Sequence, residues 1–121
     1  YLYVDEFQNF ATESFANILS EARKYRLALI LAHQYISQME ETVRDAVFGN
    51  IGTLVSFRVG AEDAEFLEKE YQPTLWTSDI AGIANYKAYI KLNIDNSTTR
   101  PFSMNSIYTM DYKNERVAKI L

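Results

Sequence analysis

Tyr1-Leu2-Tyr3-Val4-Asp5-Glu6 is an apolar, β-favouring run that ends in two adjacent carboxylates. It predicts a buried strand whose last residue is Val4, with Asp5 and Glu6 at its carboxyl tip. Successive strand residues point to opposite faces, so two neighbouring acids can serve one ligand only where the backbone turns. At such a tip Asp5 is suited to hold a hydrated divalent cation, and Glu6 to take a proton from a water. The plainer alternative is a solvated acid pair that caps whatever follows.

Outward from the acids, Phe7-Gln8-Asn9-Phe10 reads as a short loop. Thr12 is placed to cap a helix, with Glu13 in its first turn. Phe15, Ile18, Leu19 and Ala22 recur at helical spacing, which predicts an amphipathic helix over residues 13–26. Arg23, Lys24 and Arg26 then fall at its carboxyl end, where cations suit the helix dipole without further purpose. The unbroken apolar run Leu27-Ala-Leu-Ile-Leu-Ala32 suits a strand covered on both faces. Strand, helix and strand within about thirty residues make one βαβ unit. If its strands are parallel, His33 and Gln34 share an edge with Asp5 and Glu6, the edge where ligands collect in such folds.

Farther along, Ser37-Gln-Met-Glu40 has the spacing of a capping box, ahead of a helix marked by Met39, Val43, Ala46 and Val47 and stopped at Gly49. Residues 53–59 predict a third strand. Glu62 and Asp63 open another helix, with Glu65 and Lys69 placed as an i, i+4 pair and Pro73 as its end. Residues 78–82 read as a polar turn or short helical step. From Asn85 to Ile94 the chain alternates: Tyr86, Ala88, Ile90, Leu92 and Ile94 on one side, Lys87, Tyr89, Lys91 and Asn93 on a wet side. Asp95-Asn-Ser-Thr is a turn, residues 101–107 an antiparallel partner, and residues 108–121 a charged tail.

Composition narrows the classes. The 121 residues are 48% hydrophobic and 23% charged, as in an ordinary globular domain or part of one. A net charge of −4 argues against a uniformly basic nucleic-acid surface, though a local basic stripe remains compatible. The absence of cysteine excludes disulfides, thiolate metal sites and a cysteine nucleophile. No apolar run is long enough to span a bilayer, and no signal peptide is recognisable. A chain that opens inside a strand is expected to be a piece of a longer protein.

Taken in order, these features resemble the conjugative-transfer ATPases of type IV secretion, the TraG-like coupling proteins of the HerA/FtsK branch of RecA-like P-loop ATPases. Tyr1 to Phe10 looks like the family's Walker B strand and following loop. Ile18-Leu-Ser-Glu-Ala-Arg23-Lys-Tyr-Arg-Leu27 resembles its arginine-bearing helix, Leu29-Ile-Leu-Ala-His-Gln34 its sensor strand, and Asn50-Ile-Gly-Thr-Leu-Val-Ser-Phe-Arg58-Val-Gly60 the strand after it. Tyr89-Ile-Lys-Leu with Arg100-Pro-Phe102 looks like the closing hairpin.

The resemblance implies an α/β fold: a mostly parallel RecA-like sheet with helices on both faces and a C-terminal antiparallel hairpin, present as a partial domain over residues 1–107. It implies ATP and Mg²⁺ as cofactors, with Asp5 holding the metal through water and Glu6 as catalytic base. Gln34 would sense the terminal phosphate. Arg23, and as a second candidate Arg58, would reach the nucleotide of a neighbouring subunit. His33 is expected to be a structural, hydrogen-bonded histidine, and DNA stacking by Tyr86 or Tyr89 is a further idea. The implied partners are five further copies in a homo-hexamer, DNA and secretion-channel proteins. The implied location is the cytoplasm, at the cytoplasmic face of the inner membrane.

One departure stands out: the chain contains no G-x-x-x-x-G-K-[ST] phosphate loop. By itself it is expected neither to bind ATP tightly nor to hydrolyse it. The competing readings are a packaging ATPase of the same superfamily, a non-catalytic α/β docking module, and a metal-dependent nuclease. The nuclease would add Asp63 or Asp79 to the acid pair.

Overall fold

A computed structural model describes residues 1–107, and the charged tail expected over residues 108–121 lies outside the described residues. The strand that carries the acids, β1 (Leu2–Val4), stops at Val4 as its composition requires. A 3-10 turn, Phe7–Asn9, follows. Helix α1 (Glu13–Glu21) starts at Thr12, whose hydroxyl accepts the Phe15 N–H at 3.4 Å.

Regular α geometry ends earlier than residue 26. Three i→i+3 bonds tighten the chain from Glu21 to Arg26. Arg26 takes φ 54°, and Leu27 N–H bonds the Ala22 carbonyl. This is the Schellman closure, with an arginine where glycine is usual. It turns the chain sharply into β2 (Leu29–Leu31).

β1 and β2 pair in parallel, with Leu2 opposite Leu29 and Val4 opposite Leu31. The expected βαβ unit is therefore present. Its predicted burial on both faces is not. Val4, Leu29 and Leu31 face a core of Phe7, Leu19, Met39, Val43 and Val47. Tyr3 and Ile30, paired on the opposite face, are exposed. Helix α2 (Glu41–Asn50) packs against α1 on the same core, so both helices cover one side of the pair.

The capping box expected at Ser37 does not form. Glu40 is the cap residue of α2, without a side-chain bond, and the helix runs through Gly49. The Ser37 N–H is taken by Asp63 instead.

The second half is antiparallel. β3 (Leu54–Ser56) is shorter than the predicted strand and does not extend the parallel pair. It joins β4 (Lys87–Lys91) and β7 (Phe102–Asn105) in the order β3-β4-β7. The mostly parallel RecA-like sheet is thus not what the described residues form. They form one parallel pair and a separate antiparallel sheet, because β4 supplies the hydrogen bonds for β3.

Helix α3 (Ala61–Tyr71) and the short α4 (Thr77–Gly82) build a second core from Ile36, Ala64, Leu67, Tyr71 and Ile80. The two cores meet where the ring of Phe48 of α2 packs at a tilt against that of Phe66 of α3, centroids 4.7 Å apart. Residues Asn93–Ile94 (β5) and Ser97–Thr98 (β6) form a hairpin. Its two turn residues, Asp95 and Asn96, both have positive φ, as a type I′ turn demands.

The side of β4 expected to be wet is partly covered. Lys91 Nζ bonds Glu70 Oε2 at 2.9 Å, and Tyr89 packs on the second core with its ring 6.5 Å from that of Tyr71. Tyr89 is thus half-buried, whereas Tyr86, the other tyrosine named for DNA stacking, is exposed. The i, i+4 pair expected between Glu65 and Lys69 is not among the ion pairs of the described residues.

Candidate functional site

The parallel pairing brings the carboxyl tips of β1 and β2 together. Beyond Val4 the ladder continues with Ala32 N–H to the Val4 carbonyl at 2.9 Å and Phe7 N–H to the Ala32 carbonyl at 2.8 Å. Phe7 is fully buried, so the two residues between Val4 and Phe7 must bulge outward at the sheet edge. Glu6 takes up the turn with φ 51° and ψ 45°, a left-handed conformation that costs a residue with a Cβ. Its N–H bonds back to Asp5 Oδ1 at 2.9 Å. This is how two successive acids come to one edge.

The Glu6 carboxylate is held on both oxygens. Gln34 Nε2 donates to Oε1 at 2.5 Å, and Gln8 Nε2 donates to Oε2. Asp5, Glu6 and Gln34, singled out separately in the sequence, therefore share one edge. Gln8 was not singled out. Its signal was its place two residues past the acids, on a turn anchored by the buried Phe7. The Gln8 Oε1 atom is buried and has no hydrogen-bond partner among the described residues, which leaves an acceptor unused beside the site.

Beside Gln34, His33 is half-buried. Burial pushes its imidazole below the ordinary histidine value, and the Asp63 charge opposes this more weakly. Its Nδ1 is buried and has no hydrogen-bond partner among the described residues, so the hydrogen bond expected of this histidine is not made at that nitrogen.

Neither arginine joins the acids. Arg23 is exposed on the turn that leads into the start of β2, so it lies at the opposite end of the parallel pair from Glu6. Arg58 is exposed between β3 and α3.

The donor set fits a hydrated magnesium ion better than a protein-caged one. Magnesium keeps several waters and takes one or two carboxylates together with substrate phosphates. Asp5 is exposed and keeps Oδ2 free of hydrogen bonds from described residues. Among the described residues no three of His, Asp and Glu gather as a metal cage. The two carboxylates that a nuclease would need are engaged elsewhere. Asp63 binds the backbone N–H groups of Ile36 and Ser37, and Asp79 takes the Trp76 N–H at 2.9 Å. A concavity of about 660 Å³ lined by Glu70, Thr74, Lys91, Thr98 and Arg100 lies against α3 and the β5–β6 hairpin and includes none of the acid-edge residues.

Residues 1–70 match the family described as the TraM recognition site of TraD and TraG. The chain belongs to this family. The match covers β1 through nearly all of α3, and so includes Asp5, Glu6, Gln8, Gln34 and Asp63. It assigns the chain to the C-terminal region of a TraG/TraD coupling protein of conjugative transfer. No curated protein matches the chain significantly. In this TraG/TraD chain no helix of the described residues is long and apolar enough to cross a membrane.

Proposed function

We propose that this TraG/TraD chain supplies the water-activating and phosphate-sensing edge of an ATP-driven conjugative-transfer motor. The observation that carries the reading is the bond from Gln34 to Glu6 across the tips of two parallel strands. A carboxylate oriented by neutral amides at a strand tip is suited to general-base work, since it is fixed in direction and still able to take a proton. In this reading Glu6 accepts a proton from the water that attacks the terminal phosphorus of ATP. The bond to the bridging oxygen breaks, and ADP leaves. Asp5 would hold Mg²⁺ through water, and the ion when bound would neutralise the phosphate oxygens.

Gln34 donates to Glu6, and in this reading it would turn its N–H to a phosphate oxygen of bound ATP. Arg23, at the far end of the strands from Glu6, is proposed to serve a nucleotide bound by a neighbouring subunit. That geometry fits a ring, for which a homo-hexamer is the proposed form. Arg58 is the second candidate for the same task. The exposed Tyr3–Ile30 face favours membership of a larger RecA-like sheet, in which other strands of the same protein cover it. The phosphate loop would come from that part too. DNA, TraM and secretion-channel proteins are the proposed partners, and the cytoplasmic face of the inner membrane the proposed location.

The deciding experiment is Glu6→Gln in the intact coupling protein. Loss of ATP turnover by at least about a hundredfold, with nucleotide still bound, is expected of a general base. Unchanged turnover would leave the acid edge as a docking surface.

A further inference from the structure

The geometry points to Asp63 as the positioning residue that holds Gln34 against Glu6; this rests on, and deepens, the ATPase reading. Asp63 is the third residue of α3 and is 5% exposed. An acid at that position ordinarily bonds the first amides of its own helix. Here it reaches across the chain: Oδ2 accepts the Ile36 N–H at 3.2 Å and Oδ1 the Ser37 N–H at 3.0 Å. Two backbone donors and the positive end of α3 make a buried charge tolerable.

The two amides lie just past Gln34 in the chain. Ile36, 4% exposed, inserts its side chain among Ala64, Leu67, Tyr71 and Ile80. The segment that carries Gln34 is therefore fastened to α3 twice, by a polar clamp and an apolar plug. Gln34 itself is exposed, and its only hydrogen bond among the described residues goes to Glu6. On its near side Gln34 follows Ala32, whose N–H and carbonyl bond Val4 and Phe7 at the β1 tip; on its far side the chain is held by α3 through Ile36 and Ser37. At its other end α3 is tied to the antiparallel sheet, because the Tyr71 hydroxyl donates to Ser56 Oγ at 2.9 Å. In this proposal a shift of α3 against the parallel pair moves the far side of the loop, and with it the reach of Gln34 to Glu6. Asp63 is the joint through which that happens.

The test uses the intact coupling protein with Asp63→Asn, Gln34→Ala and the double variant. Asp63→Asn keeps the shape of the side chain, whereas Asp63→Ala empties the site, so the first is the primary variant. An amide nitrogen facing one of the two N–H groups breaks half the clamp. Misplacing Gln34 is expected to lower kcat for ATP about 10- to 100-fold, with KM unchanged. In the Gln34→Ala background Asp63→Asn is expected to cost nothing more. Equal losses in both backgrounds would overturn the proposal, since Asp63 would then act independently of Gln34.

Hydrogen exchange of the peptide spanning residues 33–38 is the second readout. It is expected to quicken in Asp63→Asn, and unchanged exchange would also overturn the proposal. Should Glu6→Gln leave turnover intact, the ATPase reading falls by that result alone, and the exchange data still decide whether the clamp exists.

Discussion

Gln34 donates to Glu6 at 2.5 Å across 28 residues of chain, joining the tips of two parallel strands. Gln8 donates to the other carboxylate oxygen from only two residues away. One donor is local and rides with Glu6. The other arrives on a separate strand whose loop is fastened to α3. Only the second can report a change elsewhere in the fold, so the two glutamines are expected to behave differently when removed.

For Gln8 the expectation is a loss confined to chemistry. A hydrogen bond to a charged group contributes roughly 1.5–3 kcal/mol. If it steadies Glu6, Gln8→Ala in the intact protein lowers kcat about tenfold or more and leaves KM alone. Gln8→Glu, which sets one carboxylate against another, is expected to cost more. Steady-state kinetics on both variants decide the matter: a wild-type kcat in Gln8→Ala would mean that Gln34 orients Glu6 unaided.

A second expectation concerns the joint between α3 and the antiparallel sheet. Tyr71 is fully buried and its hydroxyl bonds Ser56, itself only 6% exposed. Burial pushes the Tyr71 phenol up, so the hydroxyl stays protonated and remains the donor. Tyr71→Phe leaves the Ser56 hydroxyl without its donor in a dry place, at a cost of about 1–2 kcal/mol. Ser56→Ala added to it should recover part of that, because no polar group is then stranded. Urea midpoints for the two single variants and the pair give the coupling directly.

His33 contributes to how the molecule responds to acid. Its pKa lies below the ordinary 6.5 because it is buried. Below that value the unfolded chain therefore binds a proton that the folded chain refuses. The His33 contribution to stability is fully present above pH 6.5 and is lost as pH falls through the lowered value. The nearby Asp63 moderates the loss by favouring the charged form. Thermal melts from pH 7.5 downward should show a shallower acid decline for His33→Gln than for the natural chain. Parallel curves would mean that carboxylates alone set the acid limb.

Much of the acid edge was legible because it is local. Val4 ends an apolar run, Asp5 and Glu6 follow, and a helix of the right length returns the chain to a second apolar run. Parallel pairing then puts Gln34 beside Glu6. What was not legible depends on residues distant in sequence. Ser37 and Glu40 have capping-box spacing, yet Asp63 takes the Ser37 amide from 26 residues away. Residues 53–59 are rich in strand formers, but which sheet they join is decided by β4, some thirty residues on. Lys91 and Tyr89 alternate as a wet face should, and α3 then covers them. Gln8 could have been found from the anchored turn on which it sits, and Asp63 from an acid in a first turn whose cap residue, Gly60, has no side chain to offer.

Glu6 itself carries the last expectation. Its φ of 51° is left-handed, a conformation that costs a residue with a Cβ of order 1–3 kcal/mol. Glu6→Ala and Glu6→Gly both remove the carboxylate and its bonds to Gln8 and Gln34. They differ in the Cβ, and hence in strain. In regular structure glycine is the less stable of the two by roughly 0.5–1 kcal/mol. At this position the order should reverse, with Glu6→Gly more stable than Glu6→Ala by about 1 kcal/mol. Neither variant should support turnover in the intact protein. Such a reversal, measured by urea unfolding, would mean that the chain accepts a strained backbone to present its acid at the strand tip. Alanine above glycine would mean that the turn bears no strain, and that Glu6 occupies it at no cost to the fold.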